Sequence, residues 1–144
     1  IGKMQVNNIP VLGYIFKNLH IMVDRDSKES RKQTYIDCFR SLDQGYSIGI
    51  FPEGGIKTEK VPKMAPFKNG AFAMALEEQV PILPVSLLGA YKIMKGSFYI
   101  NWSPCEIVCH KPIYTDGFTT KDVDAFREKC YKILQSALDK AYNE

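Results

Sequence analysis

The sequence predicts an α/β domain with a layered, largely parallel central sheet flanked by helices. Short apolar runs with the character of strands alternate along the chain with longer segments of helical spacing, an order typical of parallel-sheet domains. The 144 residues, of which 45% are hydrophobic and 24% charged, match the size and composition of one folded domain. No internal repeat and no long linker divides the chain, so we predict a single domain over residues 1–144.

The first elements are a strand, a helix and a second strand. Residues 20–24 are a short apolar run, and residues 27–43 have helical spacing. Asp26 or Ser27 is placed to cap the start of this helix. Residues 47–51 then form a compact candidate for a buried strand. The apolar stripe predicted for the helix consists of Tyr35, Cys38, Phe39 and Leu42.

The next elements are a helix and three strands. We expect the helix over 67–79 and the first strand over 82–88. Residues 98–102 and 106–111 resemble two further strands, joined through Ser103-Pro104 into a hairpin at one edge of the sheet.

The start of the last helix is indicated by Thr119 and Asp122, which have the spacing of a capping box. Its polar face mixes acidic and basic residues rather than being uniformly basic. This mixture favours packing on the sheet over a position at a membrane surface. Its apolar stripe consists of Val123, Phe126, Cys130, Ile133, Leu134, Ala137, Leu138 and Ala141.

Composition and charge argue against several classes of protein. A formal net charge of +3 is too small to indicate nucleic-acid binding, and we expect no nucleic-acid partner, although weak attraction to an anionic bilayer surface is compatible with it. No apolar run reaches the roughly 18–20 residues that span a bilayer. The two histidines and four cysteines show no metal-site spacing, so we expect no metal and reduced cysteines. No Gly-x-Ser-x-Gly pattern supports a hydrolase.

One candidate for chemistry is the turn that follows the predicted strand 47–51. In open α/β sheets, ligand sites lie at the carboxyl ends of strands. A carboxylate at Glu53, followed by Gly54 and Gly55 without side chains, would meet a substrate closely. The alternative is a surface turn with a solvated glutamate.

A second candidate is Arg25, which follows the apolar run 20–24. Its guanidinium would bind a phosphate bidentately. The alternative is an ion pair with Asp24 or Asp26.

The loop after the glutamate turn is rich in lysine. Ammonium groups and backbone amides together suit a phosphate or another anionic head group. The alternative is a solvated basic loop. The lysines are Lys57, Lys60, Lys63 and Lys68.

An ordered set of motifs resembles the 1-acylglycerol-3-phosphate acyltransferase (lysophosphatidic acid acyltransferase) family. Each motif alone is weak, but their order with compatible spacing is specific. The resemblance covers roughly the first two thirds of the chain. The motifs are Gly2-Lys3, Ile9-Pro10-Val11-Leu12-Gly13, Val23-Asp24-Arg25, Phe51-Pro52-Glu53-Gly54, Pro66-Phe67-Lys68-Asn69-Gly70-Ala71-Phe72 and Val80-Pro81-Ile82-Leu83-Pro84-Val85.

The resemblance implies a glycerolipid acyltransferase-like fold and an activity in phospholipid biosynthesis. A fatty acyl group would move from an acyl thioester, either acyl-CoA or an acyl-carrier protein, to the free hydroxyl of lysophosphatidic acid or a related glycerophosphate. No bound cofactor is expected. Because the acceptor and the product are lipids, we expect the protein at the cytoplasmic face of a membrane.

The resemblance also implies roles for individual residues. Lys3 and Arg25 would hold the phosphate of the acceptor, and the glutamate turn would shape the acceptor pocket. The predicted catalytic residue in this chain is Glu53. The predicted substrate-binding residues are Lys3, Arg25, Glu53, Gly54, Gly55 and Lys57.

The general base of the family is a histidine separated by four residues from an aspartate. The resemblance places this motif shortly before Lys3, so we expect an N-terminally incomplete domain that is inactive by itself. His20 and Asp24 are separated by three residues only, and we expect His20 to be a structural histidine. His110, in the predicted strand 106–111, has even fewer neighbouring residues that would support a role as a base.

Gly55 and Ile56 stand where the family usually has threonine and arginine. Either Lys57 or Lys60 compensates for the missing cation, or the acceptor differs from simple lysophosphatidic acid. A further alternative is a non-catalytic or degenerate domain that binds anionic lipid through its lysine-rich loop.

Overall fold

Two compact units, Ile1–Phe51 and Pro52–Glu144, divide the chain. The prediction of one domain over 1–144 stays a prediction. The computed structural model describes residues 2–3, 14, 21–24, 27–55, 60–93 and 101–143.

The first unit contains a pair of short parallel strands and a helix. Strand β1 (Gly2–Lys3) pairs with strand β2 (Met22–Val23), and Lys3 lies opposite Val23. Helix α1 (Lys28–Asp43) follows and contacts β2. The predicted order of strand and helix is therefore confirmed for this part of the chain.

Helix α1 begins and ends where local signals place it. Ser27 is the cap, because its Oγ accepts a hydrogen bond of 3.1 Å from the backbone N–H of Ser30. Beyond the other end, Gly45 has a φ of +81°, the left-handed conformation common just after helices. On the predicted apolar stripe Cys38 is fully buried, and Tyr35, Phe39 and Leu42 are half-buried.

The predicted buried strand over 47–51 is wrong for this structure. These residues form no strand within the described part of the unit, and the Phe51 side chain is 75% exposed. The apolar run is short and includes Ser47 and Gly49. Such a pattern fits an extended segment as well as a strand, since periodicity does not report whether a partner strand is present.

The second unit is built around a hydrophobic core between helix α2 (Gly70–Glu77) and helix α3 (Val123–Asn143). Full burial of one large apolar side chain contributes about 1.5–3 kcal/mol, so this cluster accounts for much of the cohesion of the unit. The buried members are Phe67, Phe72, Ala75, Leu76, Ile113, Phe126 and Cys130.

Helix α2 is shorter than the predicted span of 67–79. The backbone N–H of Lys68 donates to the carbonyl of Pro52 at 2.9 Å, which holds the chain in a loop just before the helix. At the other end, Gln79 has a φ of +51°, and this left-handed residue follows the last helical turn. A tertiary hydrogen bond thus limits the start of the helix, and a left-handed backbone conformation limits its end.

The strands of the second unit are antiparallel. Strand β3 (Val85–Leu88) pairs with strand β4 (Glu106–Cys109), with Val85 opposite Cys109 and Leu88 opposite Glu106. A bridge between Ile82 and Ile113 extends this pairing.

The predicted hairpin of 98–102 with 106–111 is described only in part, and its pairing stays a prediction. Asn101 and Trp102 are not in a strand, and residues 98–100 lie outside the described residues. Strand β4 pairs with β3, about twenty residues earlier in the sequence. The turn signal at Ser103-Pro104 is local, whereas the choice of strand partner is made by contacts distant in sequence.

The capping box before α3 is confirmed. Asp122 Oδ2 accepts hydrogen bonds from the backbone N–H and the hydroxyl of Thr119, at 2.8 and 2.7 Å. These hydrogen bonds lower the pKa of the Asp122 carboxyl. The predicted packing of the α3 stripe is confirmed in part: Phe126 and Cys130 lie in the core, whereas Ile133 and Ala141 are exposed. Within the described residues, no helix is both long enough and apolar enough to cross a membrane.

Candidate functional site

The turn at Glu53 opens a loop, residues 52–69, that we call the glutamate loop; the structure describes 52–55 and 60–69 of it. Glu53 Oε2 accepts a hydrogen bond of 2.8 Å from the backbone N–H of Ala65. One residue earlier, the Pro52 carbonyl accepts the hydrogen bond from Lys68 N–H. The loop therefore folds back so that its two ends bind each other. The half-buried Glu53 carboxylate is part of that closure.

Gly54 lies directly beneath the side chain of Lys68. The φ of Gly54 is +73°, a conformation that L-residues with a side chain rarely adopt. A Cβ at position 54 would lie 2.8 Å from Lys68 Cε and 3.1 Å from Lys68 Nζ. Glycine is favoured here by the backbone conformation, and a side chain would also push the end of Lys68 aside. The arrangement brings an ammonium group onto the turn that carries Glu53.

The remaining predicted residues of this turn are only partly described. Gly55 is exposed and has a φ of +155°. Lys57 and Ile56 lie outside the described residues, so compensation for the missing arginine by Lys57 stays a prediction. Lys60, the other lysine predicted to compensate, is exposed.

Two side chains of helix α3 hold the middle of the glutamate loop. Gln135 Oε1 accepts a hydrogen bond of 2.9 Å from Met64 N–H, and Tyr131 donates its hydroxyl to the Met64 carbonyl at 3.0 Å. Burial, followed by the nearby carboxylates including Glu53, raises the pKa of the Tyr131 hydroxyl. A cavity of about 300 Å³ lies beside these residues, lined by Pro62, Lys63, Tyr131, Gln135 and Asp139.

The predicted phosphate contacts Lys3 and Arg25 belong to the first unit. Lys3 is the second residue of β1, and its backbone position opposite Val23 is fixed by the parallel pairing. Arg25 lies outside the described residues. The roles of both residues stay predictions.

The histidines give no general base in the described part of the chain. His20 lies outside the described residues. His110 Nε2 is 2.8 Å from the Oγ of Ser86, and Ser86 is only 5% exposed. The backbone N–H of His110 donates to the carbonyl of Pro84 at 3.0 Å. This pair ties the end of β4 to β3, which fits a structural histidine better than a catalytic one.

No group of three or more metal-binding side chains is found among the residues described. The four cysteines are free thiols: Cys38 and Cys130 are buried, and Cys105 and Cys109 are exposed. Burial raises the pKa of the Cys130 thiol to about 11. Neither buried thiol is therefore placed for nucleophilic chemistry.

Two residues of this site, Gln135 and Tyr131, were not predicted from the sequence. Lys68 was named among the loop lysines that suit an anionic head group, but its contact with Gly54 depends on the folding of the loop. Gln135 and Tyr131 lie about 70 residues further along the chain than the loop residues that they hold. Only a contact map would have connected them.

Comparison with known proteins shows the family to which the chain belongs. The sequence model of the Acyltransferase family matches residues 1–88. A chloroplastic 1-acyl-sn-glycerol-3-phosphate acyltransferase of Brassica napus is 32% identical over 117 residues, which are 79% of this chain and 33% of that protein. The 1-acyl-sn-glycerol-3-phosphate acyltransferase of Haemophilus influenzae is 25% identical over 142 residues, 96% of this chain and 57% of that protein.

A solved structure has the same fold. The crystal structure of the 1-acyl-sn-glycerophosphate (LPA) acyltransferase PlsC from Thermotoga maritima superposes with a TM-score of 0.80 at 21% identity, over 99% of this chain and 56% of that one. The chain thus spans about a third to somewhat over half of the length of these relatives. The family match confirms the resemblance that the ordered motifs indicated, and we conclude that this chain belongs to the Acyltransferase family.

Proposed function

We propose that the protein containing this chain transfers a fatty acyl group from an acyl thioester to the free hydroxyl of lysophosphatidic acid or a related glycerophosphate. The observation that carries the proposal is the family match over residues 1–88, which includes the glutamate turn and Lys68. The names of the Brassica and Haemophilus relatives point to the same reaction.

The reaction is an acyl transfer in two steps. The acceptor hydroxyl gives its proton to a general base, and the oxygen attacks the thioester carbonyl. The tetrahedral intermediate then collapses, the carbon–sulfur bond breaks and the thiolate leaves. The family resemblance assigns the base to a histidine before Lys3, and acyl-CoA or an acyl-carrier protein is the proposed donor.

In this reaction the glutamate loop would hold the anionic part of the acceptor. Lys68 supplies an ammonium group over Gly54, and a compact ammonium binds phosphate as a point charge. The Glu53 carboxylate is held by Ala65, so we assign it the shaping of the pocket rather than proton transfer. Lys68 would thereby supply part of the positive charge that the family's arginine gives to the head-group pocket, since Ile56 stands in place of that arginine here.

Other parts of the proposal rest on the resemblance. Lys3 and Arg25 are proposed to bind phosphate, and Gly55 and Lys57 are proposed to line the acceptor pocket. The proposed place of action is the cytoplasmic face of a membrane. The finer description of the fold, a largely parallel central sheet flanked by helices, is proposed as well, and the parallel pairing of β1 with β2 supports it.

The test is an acyl-transfer assay on the purified native protein that contains this chain. Labelled acyl-CoA and acyl-carrier protein are each offered with lysophosphatidic acid in mixed micelles, and labelled phosphatidic acid is measured. Transfer from either donor supports the proposal. Binding to anionic vesicles without transfer to lysophosphatidic acid, glycerol phosphate or any lysolipid would contradict it and favour the anionic-lipid-binding alternative.

A further inference from the structure

We propose that Gln135, together with Tyr131, is a positioning residue that holds residues 62–65 of the glutamate loop, and through them Glu53, in the position needed for the acceptor. Both side chains belong to helix α3, which lies outside the residues matched by the family model. The inference rests on the proposed function, because the acceptor is the molecule for which the loop is held.

Gln135 binds the loop with both ends of its amide. Its Oε1 accepts from Met64 N–H at 2.9 Å, and its Nε2 donates to the Pro62 carbonyl at 3.2 Å. The same Nε2 donates to Asp139 Oδ1 at 2.8 Å, one helical turn further along α3. This last contact fixes which end of the amide faces the Met64 N–H.

Tyr131 completes the attachment one turn before Gln135. Its hydroxyl donates to the Met64 carbonyl at 3.0 Å, so both backbone groups of Met64 are bound by α3. The Tyr131 ring packs edge-on against Phe67, with ring centroids 5.0 Å apart. The loop is therefore attached to α3 by hydrogen bonds at Pro62 and Met64 and by an aromatic contact at Phe67.

The attachment continues to the Glu53 carboxylate through adjacent backbone. Ala65, the residue after Met64, donates its N–H to Glu53 Oε2. A shift of Met64 moves the peptide that carries this N–H, because the peptide unit between the two residues is planar and rigid. Gln135 thus acts on Glu53 without touching it, through two neighbouring residues of the loop.

These contacts are not what attaches α3 to its unit. The helix is anchored in the core by Phe126 and Cys130, which are 0% and 1% exposed, whereas Gln135 is half-buried at the surface. A substitution at Gln135 should therefore release the loop while leaving the core packed. That separation allows a positioning role to be distinguished from a purely structural one.

The experiment compares Gln135→Met with a matched control in the native protein that contains this chain. Methionine has a similar length but neither donates nor accepts as an amide does. The control is Gln33→Met in α1, since Gln33 Nε2 makes the same bond to the aspartate one turn on, Asp37, at 2.9 Å. Hydrogen exchange of the Met64 and Ala65 amides and steady-state kinetics with lysophosphatidic acid are measured on both variants.

The decisive amide is that of Ala65, whose own partner Glu53 is unchanged in both variants. Gln135→Met should speed its exchange about tenfold and raise KM for lysophosphatidic acid by a similar factor, the size expected from losing one or two hydrogen bonds. The value of kcat should change less than KM, and Gln33→Met should match the wild type.

Two results would overturn the inference. One is unchanged Ala65 exchange in Gln135→Met, and the other is an unchanged KM although the exchange is faster. If the wild-type protein transfers no acyl group, the proposed function fails separately. In that event the exchange of Ala65 alone decides whether Gln135 holds Glu53.

Discussion

The carboxylate of Glu53 is bound to the backbone N–H of Ala65, twelve residues further along the chain, at 2.8 Å. Ala65 is 8% exposed, so this N–H has little access to water. A buried N–H without a partner costs about 1–3 kcal/mol. Glu53 thus has a structural task in the glutamate loop, in addition to any contact with a substrate.

Two substitutions at Glu53 separate these tasks. Glu53→Gln keeps an oxygen that accepts from Ala65 and removes the charge, whereas Glu53→Ala removes both. We expect Glu53→Ala to lower the free energy of unfolding by about 1–3 kcal/mol and Glu53→Gln to change it by much less. Urea unfolding measures both values. Equal stabilities of Glu53→Ala and the wild type would show that the bond to Ala65 contributes nothing.

Gly54→Ala should be destabilising although it adds only a methyl group. A side chain at a φ of +73° costs about 1–2 kcal/mol in the left-handed region, and the new Cβ would also displace Lys68. The matched control is Gly70→Ala at the start of α2, where a Cβ meets nothing within 4 Å and alanine favours the helix. Thermal unfolding should therefore shift downwards for Gly54→Ala and stay level or rise for Gly70→Ala. The opposite order would contradict the described geometry of the turn.

Lys68 should affect the acceptor and not the donor. We expect Lys68→Met to raise KM for lysophosphatidic acid about tenfold, the loss typical of one charge-assisted hydrogen bond. KM for the acyl thioester should change little, and Lys68→Arg should recover most of the loss. Lys132→Met removes the same charge from the exposed face of α3 and serves as the control. If both lysine variants behave alike, the effect is one of net charge, and Lys68 has no specific role.

The four cysteines should divide into two reactive and two protected thiols. Cys105 and Cys109 are exposed, whereas Cys38 and Cys130 are buried, and burial raises the pKa of both protected thiols. Iodoacetamide at pH 8, followed by mass spectrometry of peptides, should label the exposed pair within minutes. The buried pair should react only after unfolding. Rapid labelling of Cys130 in the native protein would contradict the core assigned to the second unit.

The parts of the fold that the sequence predicted well are those specified by neighbouring residues. Ser27 caps α1 and Thr119 forms a capping box with Asp122, and both patterns are complete within four residues. The apolar stripe of α3 likewise follows from helical spacing, and Phe126 and Cys130 on it are buried.

The parts that it missed depend on contacts that are distant in sequence. The pairing of β4 with β3 was not predicted, and 47–51 form no strand in the described part of their unit. The same limit applies to the candidate site. Glu53 and Gly54 are visible as a motif, whereas the contacts of Lys68 and Gln135 exist only after the glutamate loop has folded.

We propose that the native protein containing this chain acylates a phosphate-bearing lipid acceptor. The most direct measurement compares initial rates of acyl transfer from labelled acyl-CoA, or from acyl-carrier protein if that is the productive donor, to lysophosphatidic acid and to the matching monoacylglycerol, which lacks the phosphate. We expect formation of phosphatidic acid at a kcat/KM at least tenfold above that for monoacylglycerol, the factor set by about one charge-assisted contact. No transfer to lysophosphatidic acid, or equal rates with both acceptors, would contradict it.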